Sequence, residues 1–150
     1  LKRIAYQIYE ANISQEEVVI AGIKANGYIF AEKLKTAVEK ISPIKVTLCK
    51  VTMDKKNPIN SITTSLKPEA YQNKSLLLVD DVLHSGTTLI YAVKHFLEVP
   101  LKQFKTAVLV DRNHKKYPIK ADYKGISLST SINENVAVIF ESGNNRAILE

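Results

Sequence analysis

Leu76-Leu77-Leu78-Val79-Asp80-Asp81-Val82-Leu83-His84-Ser85-Gly86-Thr87-Thr88-Leu89 carries the strongest structural signal in the chain. Four apolar residues, the length of a buried strand, meet two adjacent carboxylates. A small polar loop with one glycine follows, and then helical spacing from about Gly86 to Glu98. In an open α/β sheet ligands bind beyond the carboxyl ends of strands, and helix N-termini attract anions. Carboxylates accept hydrogen bonds from sugar hydroxyls or from a hydrated metal ion, whereas the helix start suits a phosphate. Side by side, the two describe a site for a phosphorylated sugar.

A strand that ends in Asp and runs through Ser-Gly into a helix also occurs in α/β proteins with no ligand there. The residues must therefore be weighed one at a time. Asp80 and Asp81 would point to opposite faces of a regular strand, so both serve one ligand only if the backbone turns at that point. His84-Ser85-Gly86-Thr87-Thr88 offers backbone N–H groups and three hydroxyls, with Gly86 allowing close approach of an anion. Ser85 would equally serve as a plain helix cap. His84 titrates near neutrality and is either a proton-exchanging group or a histidine on the rim. Earlier in the chain, Gly22-Ile23-Lys24-Ala25-Asn26-Gly27 forms a second glycine-bounded turn between a strand and a helix.

Working outward, Ile4 to Ala11 has apolar residues at helical spacing, and Val18 to Gly22 reads as a short buried strand. Gly27 to Ile41 reads as a helix ended by Pro43, and Ile44 to Val51 as the next strand. Residues 52–73 are polar, carry Pro58 and Pro68, and lack a sustained period, the character of a functional or mobile loop. A hairpin around Asn57-Pro58 would suit that segment. Phe104 to Val110 is a further strand, residues 112–124 are basic and irregular, and Gly125 to Ser129 and Val136 to Phe140 read as two closing strands. Strands alternating with helices predict an α/β fold with a mostly parallel central sheet.

The 150 residues suit a single domain, and their net charge of +6 suits a polyanionic small molecule or an RNA surface. No apolar run reaches the roughly 18 residues of a membrane helix, and no signal peptide is evident at Leu1. One cysteine, Cys49, excludes an internal disulfide framework and a cysteine-based zinc cluster. Cytoplasmic location without membrane contact is the expectation.

The string from Leu76 to Thr88 resembles the diphosphoribosyl-binding motif of the type I phosphoribosyltransferases: apolar strand, two acids, two apolar residues, a variable residue, Ser/Thr-Gly, one residue, Thr. The stretch Val110-Asp111-Arg112-Asn113-His114-Lys115-Lys116-Tyr117-Pro118-Ile119-Lys120-Ala121-Asp122-Tyr123-Lys124-Gly125 resembles the branch of that family that unites pyrimidine-operon attenuation with uracil transfer. The likeness runs from about Leu1 to Val138 and is poorest in the middle loop.

This resemblance implies a phosphoribosyltransferase fold with a flexible loop over 52–73 and a small hood. It implies transfer of ribose 5-phosphate from phosphoribosyl diphosphate to a nucleobase, uracil first. Asp80, Asp81 and His84 would be the catalytic set, with Asp80 and Asp81 on the ribose hydroxyls. His84, Ser85, Gly86, Thr87 and Thr88 would hold the 5-phosphate, and Gly22, Ile23, Lys24, Ala25, Asn26 and Gly27 the diphosphate. Asp111, Arg112 and Ile126, in and just beyond the basic 111–125 segment, would hold the base. Mg2+ would arrive chiefly on the substrate, RNA is an implied further partner, and a dimer or larger homo-oligomer is implied.

Three departures from the family pattern stand out. Asn26 replaces a usual basic residue, and Cys49-Lys50-Val51-Thr52-Met53-Asp54-Lys55-Lys56 replaces a Tyr-Arg-Asp-type segment, so that Lys55 or Lys56 would supply a charge without arginine's forked geometry. Asp111 stands near the position where purine enzymes characteristically place Lys, which tilts the base towards pyrimidine. Ala121-Asp122-Tyr123-x-Gly125 is shared in part with the hypoxanthine branch, so a purine enzyme stays open, as does an RNA-binding regulator with little catalysis.

Overall fold

Alternating burial along two strands sets the layers. In β1 (Glu17–Ile23), Val18 and Ile20 join one apolar cluster while Val19, Ala21 and Ile23 join another. In β4 (Ser75–Leu83), Leu77 and Val79 join the first, and Leu76 and Leu78 the second. This is the period-two signature of a sheet covered on both faces. The structure is a computed structural model that describes residues 1–113, 115–127, 136–141 and 144–149.

The first face is covered by α1 (Lys2–Ala11) and α2 (Asn26–Ile41). Ile4, Ala5 and Ile8 from α1 meet Phe30, Ala31, Leu34 and Val38 from α2, whose spacing makes one stripe of a helix. Burying each of the larger side chains is worth about 1.5–3 kcal/mol. Asn12 ends α1 by donating to the Ile8 carbonyl at 2.9 Å and accepts from the Ser75 hydroxyl, tying the helix end to the foot of β4. Ser42 ends α2, donating to the Val38 carbonyl at 2.7 Å just before Pro43. The opposite face holds α3 (Pro68–Tyr71) and α4 (Thr87–Phe96), with Tyr71, Leu89, Ala92 and Phe96 buried there.

The main sheet has the order β3-β2-β1-β4-β5-β6. β2 is Lys45–Thr52, β3 Thr63–Thr64, β5 Gln103–Asp111 and β6 Tyr123–Ser127. All neighbours are parallel except β3, which runs antiparallel to β2. The expected mostly parallel sheet flanked by helices is therefore present. The chain moves outward from β1 to β2, then returns to place β4 on the other side of β1. The β1/β4 boundary is thus the topological switch point, where a crevice opens at the carboxyl ends.

The polar 52–73 segment is not structureless. It holds β3 and α3, and β2 and β3 form a hairpin whose connection contains Asn57-Pro58. Asp54 Oδ1 accepts the N–H groups of Lys56 and Asn57, bracing that connection. β7 (Val136–Glu141) and β8 (Asn144–Leu149) form a separate antiparallel pair. β6 begins two residues before the strand expected from Gly125, and the expected end at Ser129 lies outside the described residues, as does His114.

Candidate active site

The strand alternation slips at the two carboxylates. Leu78 and Leu83 are five residues apart yet pack in the same cluster, so the backbone rotates between them. Within that turn each carboxylate accepts the next residue's N–H: Asp81 N–H donates to Asp80 Oδ1 at 2.9 Å and Val82 N–H to Asp81 Oδ1 at 2.9 Å. The rotation lets both acids line one cleft of about 220 Å³, together with Lys55, Val82, Leu83, His84, Ser85, Gly86, Thr87, Thr88, Leu89 and Val108.

Asp80 is buried, and burial pushes its carboxyl up to about 8. Lys55, with Nζ 3.7 Å from Asp80 Oδ1, pulls the other way, and the neighbouring Asp81 reinforces the rise. The lysine is 44% exposed and stands at the far end of ion-pair range, so loss of hydration outweighs it.

The turn at 84–88 is held in shape by its own contacts. Gly86 has φ of +90°, a left-handed value, and a side chain there would run into Ile119. Ser85 Oγ and Thr87 Oγ1 are 2.8 Å apart, and the Ile90 N–H donates to the Gly86 carbonyl at 2.9 Å to open α4. The Ser85 carbonyl accepts from the N–H groups of Lys116 and Tyr117, at 2.7 and 3.1 Å, so the basic segment straps the loop from outside. With its carbonyl engaged outward and α4 starting behind it, the turn presents hydroxyls and helix-start N–H groups to the cleft, the donor set of a phosphate cradle.

The glycine-bounded turn after β1 meets the acids from across the switch point. Asn26 Nδ2 donates to Asp81 Oδ2 at 3.4 Å. Gly27 lies against Asp80: a Cβ there would sit 3.1 Å from Asp80 Oδ1. Ile23 buries its side chain in the core, so only its backbone can face a ligand, whereas Lys24 and Ala25 are exposed and joined by a cis peptide. The Lys24 N–H donates to the Val51 carbonyl at 2.9 Å, pinning the turn to β2.

The residues expected at the base are distributed differently. Arg112 is buried, and its Nη1 lies 2.9 Å from His84 Nδ1. Partial loss of hydration first, then the guanidinium, push His84 below its ordinary pKa, with Asp81 opposing. Asp111 is buried at the end of β5, where Oδ1 accepts the Asn113 N–H at 3.0 Å and Oδ2 lies 3.8 Å from Lys124 Nζ. Ile126, on the edge strand β6, is 48% exposed. Neither Asp111 nor Ile126 is among the residues lining the cleft. Of the two lysines that the sequence offers for a charge here, Lys55 is the one that reaches the cleft, whereas nothing local signals that Lys116 and Tyr117 will strap the turn.

Residues 1–140 match the family model described as phosphoribosyl transferase domain. The chain is 35% identical over 146 residues to the bifunctional protein PyrR of Clostridium acetobutylicum, covering 92% of this chain and 82% of that protein. It is 32% identical over 150 residues to bifunctional PyrR of Enterococcus faecalis, covering 94% and 83%. Among solved structures it is similar to a hypoxanthine-guanine phosphoribosyltransferase of Bacillus anthracis, with TM-score 0.71, 22% identity, and 85% and 73% of the two chains covered. A hypoxanthine phosphoribosyltransferase of Trypanosoma cruzi in complex with the product IMP gives TM-score 0.71 at 19% identity, over 90% and 75%. These structures share the fold, while the sequence kinship lies with the PyrR proteins. On the domain match and that kinship, the chain belongs to the type I phosphoribosyltransferases.

Proposed function

We propose that this phosphoribosyltransferase transfers ribose 5-phosphate from phosphoribosyl diphosphate to uracil. The observation that carries the base assignment is at the end of β5. Asp111 stands there with both carboxylate oxygens engaged, near the position of the purine enzymes' lysine, and the adjacent cation, Arg112, turns to His84. Kinship with PyrR supports the same branch.

In this reading the bond from C1 of the ribose to the base nitrogen forms as the bond from C1 to the diphosphate oxygen breaks. Diphosphate leaves with the electron pair, and the base nitrogen gives up its proton to solvent. The transition state carries positive charge on the sugar and negative charge on the leaving group, so positioning and electrostatics supply most of the acceleration. Asp80 and Asp81 hold the ribose hydroxyls, residues 84–88 hold the 5-phosphate, and the 22–27 turn offers backbone N–H groups to the diphosphate. The 52–73 segment, already reaching the cleft through Lys55, excludes water that would hydrolyse the activated sugar.

The donor set also fits Mg2+ carried on the substrate. Among the described residues no group of three or more His, Cys, Asp or Glu side chains is placed to hold a metal. Asp81, and Asp80 when ionised, would offer the one or two carboxylates with which magnesium supplements phosphate oxygens and water. Bound there, Mg2+ would neutralise charge on the diphosphate.

The test is turnover with magnesium and phosphoribosyl diphosphate against uracil, hypoxanthine and guanine in parallel. Uracil turnover is expected, and purine turnover without uracil would overturn the base assignment. A second reading, an RNA-binding regulator, is favoured by the exposed lysines 115, 116, 120 and 124. It requires sequence-dependent RNA affinity that falls steeply with salt, and affinity without sequence preference at moderate salt would count against it.

A further inference from the structure

The contact between Arg112 and His84 decides more than the orientation of a ring. A guanidinium has donors only, so at 2.9 Å from Arg112 Nη1 the Nδ1 atom of His84 must accept. An imidazole that accepts at Nδ1 and is neutral carries its proton on Nε2. His84 is itself one of the residues lining the cleft. Arg112 is 6% exposed and anchored through its own N–H to the Leu83 carbonyl at 3.1 Å, immediately before His84 in β4. The donor is therefore held by the same strand end that carries the acceptor.

We propose that Arg112 is a positioning residue that fixes His84 as the neutral Nε2–H tautomer, so that His84 offers the nucleobase a hydrogen-bond donor for a carbonyl oxygen rather than a proton-accepting nitrogen. The inference rests on the nucleobase-transfer reading above. It makes His84 a specificity-determining group: a base with a carbonyl at that edge is accepted, and one presenting only an N–H there meets donor against donor. His84 is exposed before the base arrives, so the penalty falls on the complex: a base that covers the ring with the wrong pattern leaves both groups without a partner. The charged groups acting on His84 are Arg112 after β5, Asp81 on β4 and Lys55 from the β2–β3 connection. The two cations and partial loss of hydration favour the neutral ring, and only Asp81 opposes them.

The proposal is tested by imidazole 15N–1H correlation spectra of the whole labelled protein without substrate, with the His84 signals assigned by their loss in His84→Gln. The expected wild-type result at pH 7.5 is a protonated Nε2 and a bare Nδ1. Arg112→Met should release the tautomer into a mixture and move the ring's pKa upward, and Arg112→Lys, which keeps a cationic donor, should restore part of both. In parallel, Arg112→Met should raise KM for the base by about tenfold, the scale of one lost hydrogen bond, and should raise KM for phosphoribosyl diphosphate by less. A wild-type His84 found protonated at Nδ1 overturns the proposal even if no Arg112 variant folds. Base turnover together with an Arg112→Met spectrum identical to wild type overturns the positioning role alone. No turnover with any base overturns the nucleobase-transfer reading, and His84's role towards a base falls with it.

Discussion

Lys55 Nζ stands 3.7 Å from Asp80 Oδ1, bringing a cation from the β2–β3 connection to a carboxylate on β4 that burial has driven towards neutrality. The lysine is half exposed, so the pair itself adds little to folding, within about 1 kcal/mol. Its consequence lies in binding, because a flexible ammonium beside the ribose acceptors is available to an incoming diphosphate. Lys55→Met should weaken phosphoribosyl diphosphate by about tenfold, or ~1.4 kcal/mol, while leaving Tm nearly unchanged. Calorimetric titration beside a thermal melt checks both, and a large drop in Tm with intact affinity would reverse the assignment.

Asp80 should also leave a mark on the pH dependence of stability. Its folded-state pKa of about 8 lies above the unfolded carboxyl's value of about 4. Between those pH values the folded chain keeps a proton that the unfolded chain has lost. The unfolded state thus binds fewer protons, and this group makes stability fall as pH rises across that window and level off above pH 8. Asp80→Asn stays neutral in both states and keeps an oxygen for the Asp81 N–H. It should match the wild type near pH 4 and be the more stable protein at pH 8–9, as urea unfolding at the two pH values would show. Equal pH slopes for the two proteins would mean that Asp80 is ionised in the folded chain.

That stabilised variant should be a poor enzyme. The two acids are the groups assigned to the ribose hydroxyls, and an amide replaces one of each acid's oxygens with a nitrogen that can only donate. Asp80→Asn combined with Asp81→Asn should abolish transfer, by at least about a hundredfold, with far-ultraviolet circular dichroism unchanged. Wild-type activity in the double variant would show that the site assignment is wrong. A gain in stability at the expense of activity is what a strained polar site predicts.

Much of the frame could be read from sequence because its signals are local. The apolar run at 76–79 and the helical spacings of 4–11 and 27–41 each sit within one element and name that element's buried face. The string from Asp80 to Thr88 was legible for the same reason: the cleft is lined largely by consecutive residues. What remained hidden depends on distant segments meeting. Arg112 approaches His84 from 28 residues away, and Lys116 and Tyr117 strap Ser85 from the far side of β5. β8 begins with Asn144-Asn145-Arg146, which carries no alternating apolar signal, so only its pairing with β7 reveals it as a strand. Asp111 is expected at the base only through the family resemblance, and its engagement with Asn113 and Lys124 is legible only in the structure.

Two glycines of the 22–27 turn separate folding from function. A Cβ on Gly22 would fall 2.5 Å from Tyr28 Cα and 2.6 Å from the Gly27 carbonyl oxygen. Both are backbone atoms at the start of α2, so the helix itself would have to move away from β1. A Cβ on Gly27 would meet the Val79 carbonyl oxygen at 3.0 Å and Asp80 Oδ1 at 3.1 Å, distances that a shift of a few tenths of an ångström relieves. Gly22→Ala should therefore cost about 1–3 kcal/mol of stability, the usual scale of overpacking, and lower Tm by several degrees. Gly27→Ala should cost less than that in stability and more in catalysis, because the atoms it meets include Asp80 Cα and the Asp80 Oδ1 that accepts the Asp81 N–H. Thermal melts and transfer rates measured on the same two preparations check the ordering. If Gly27→Ala is as active as the wild type, the approach of α2 to Asp80 does not set the geometry of the ribose site.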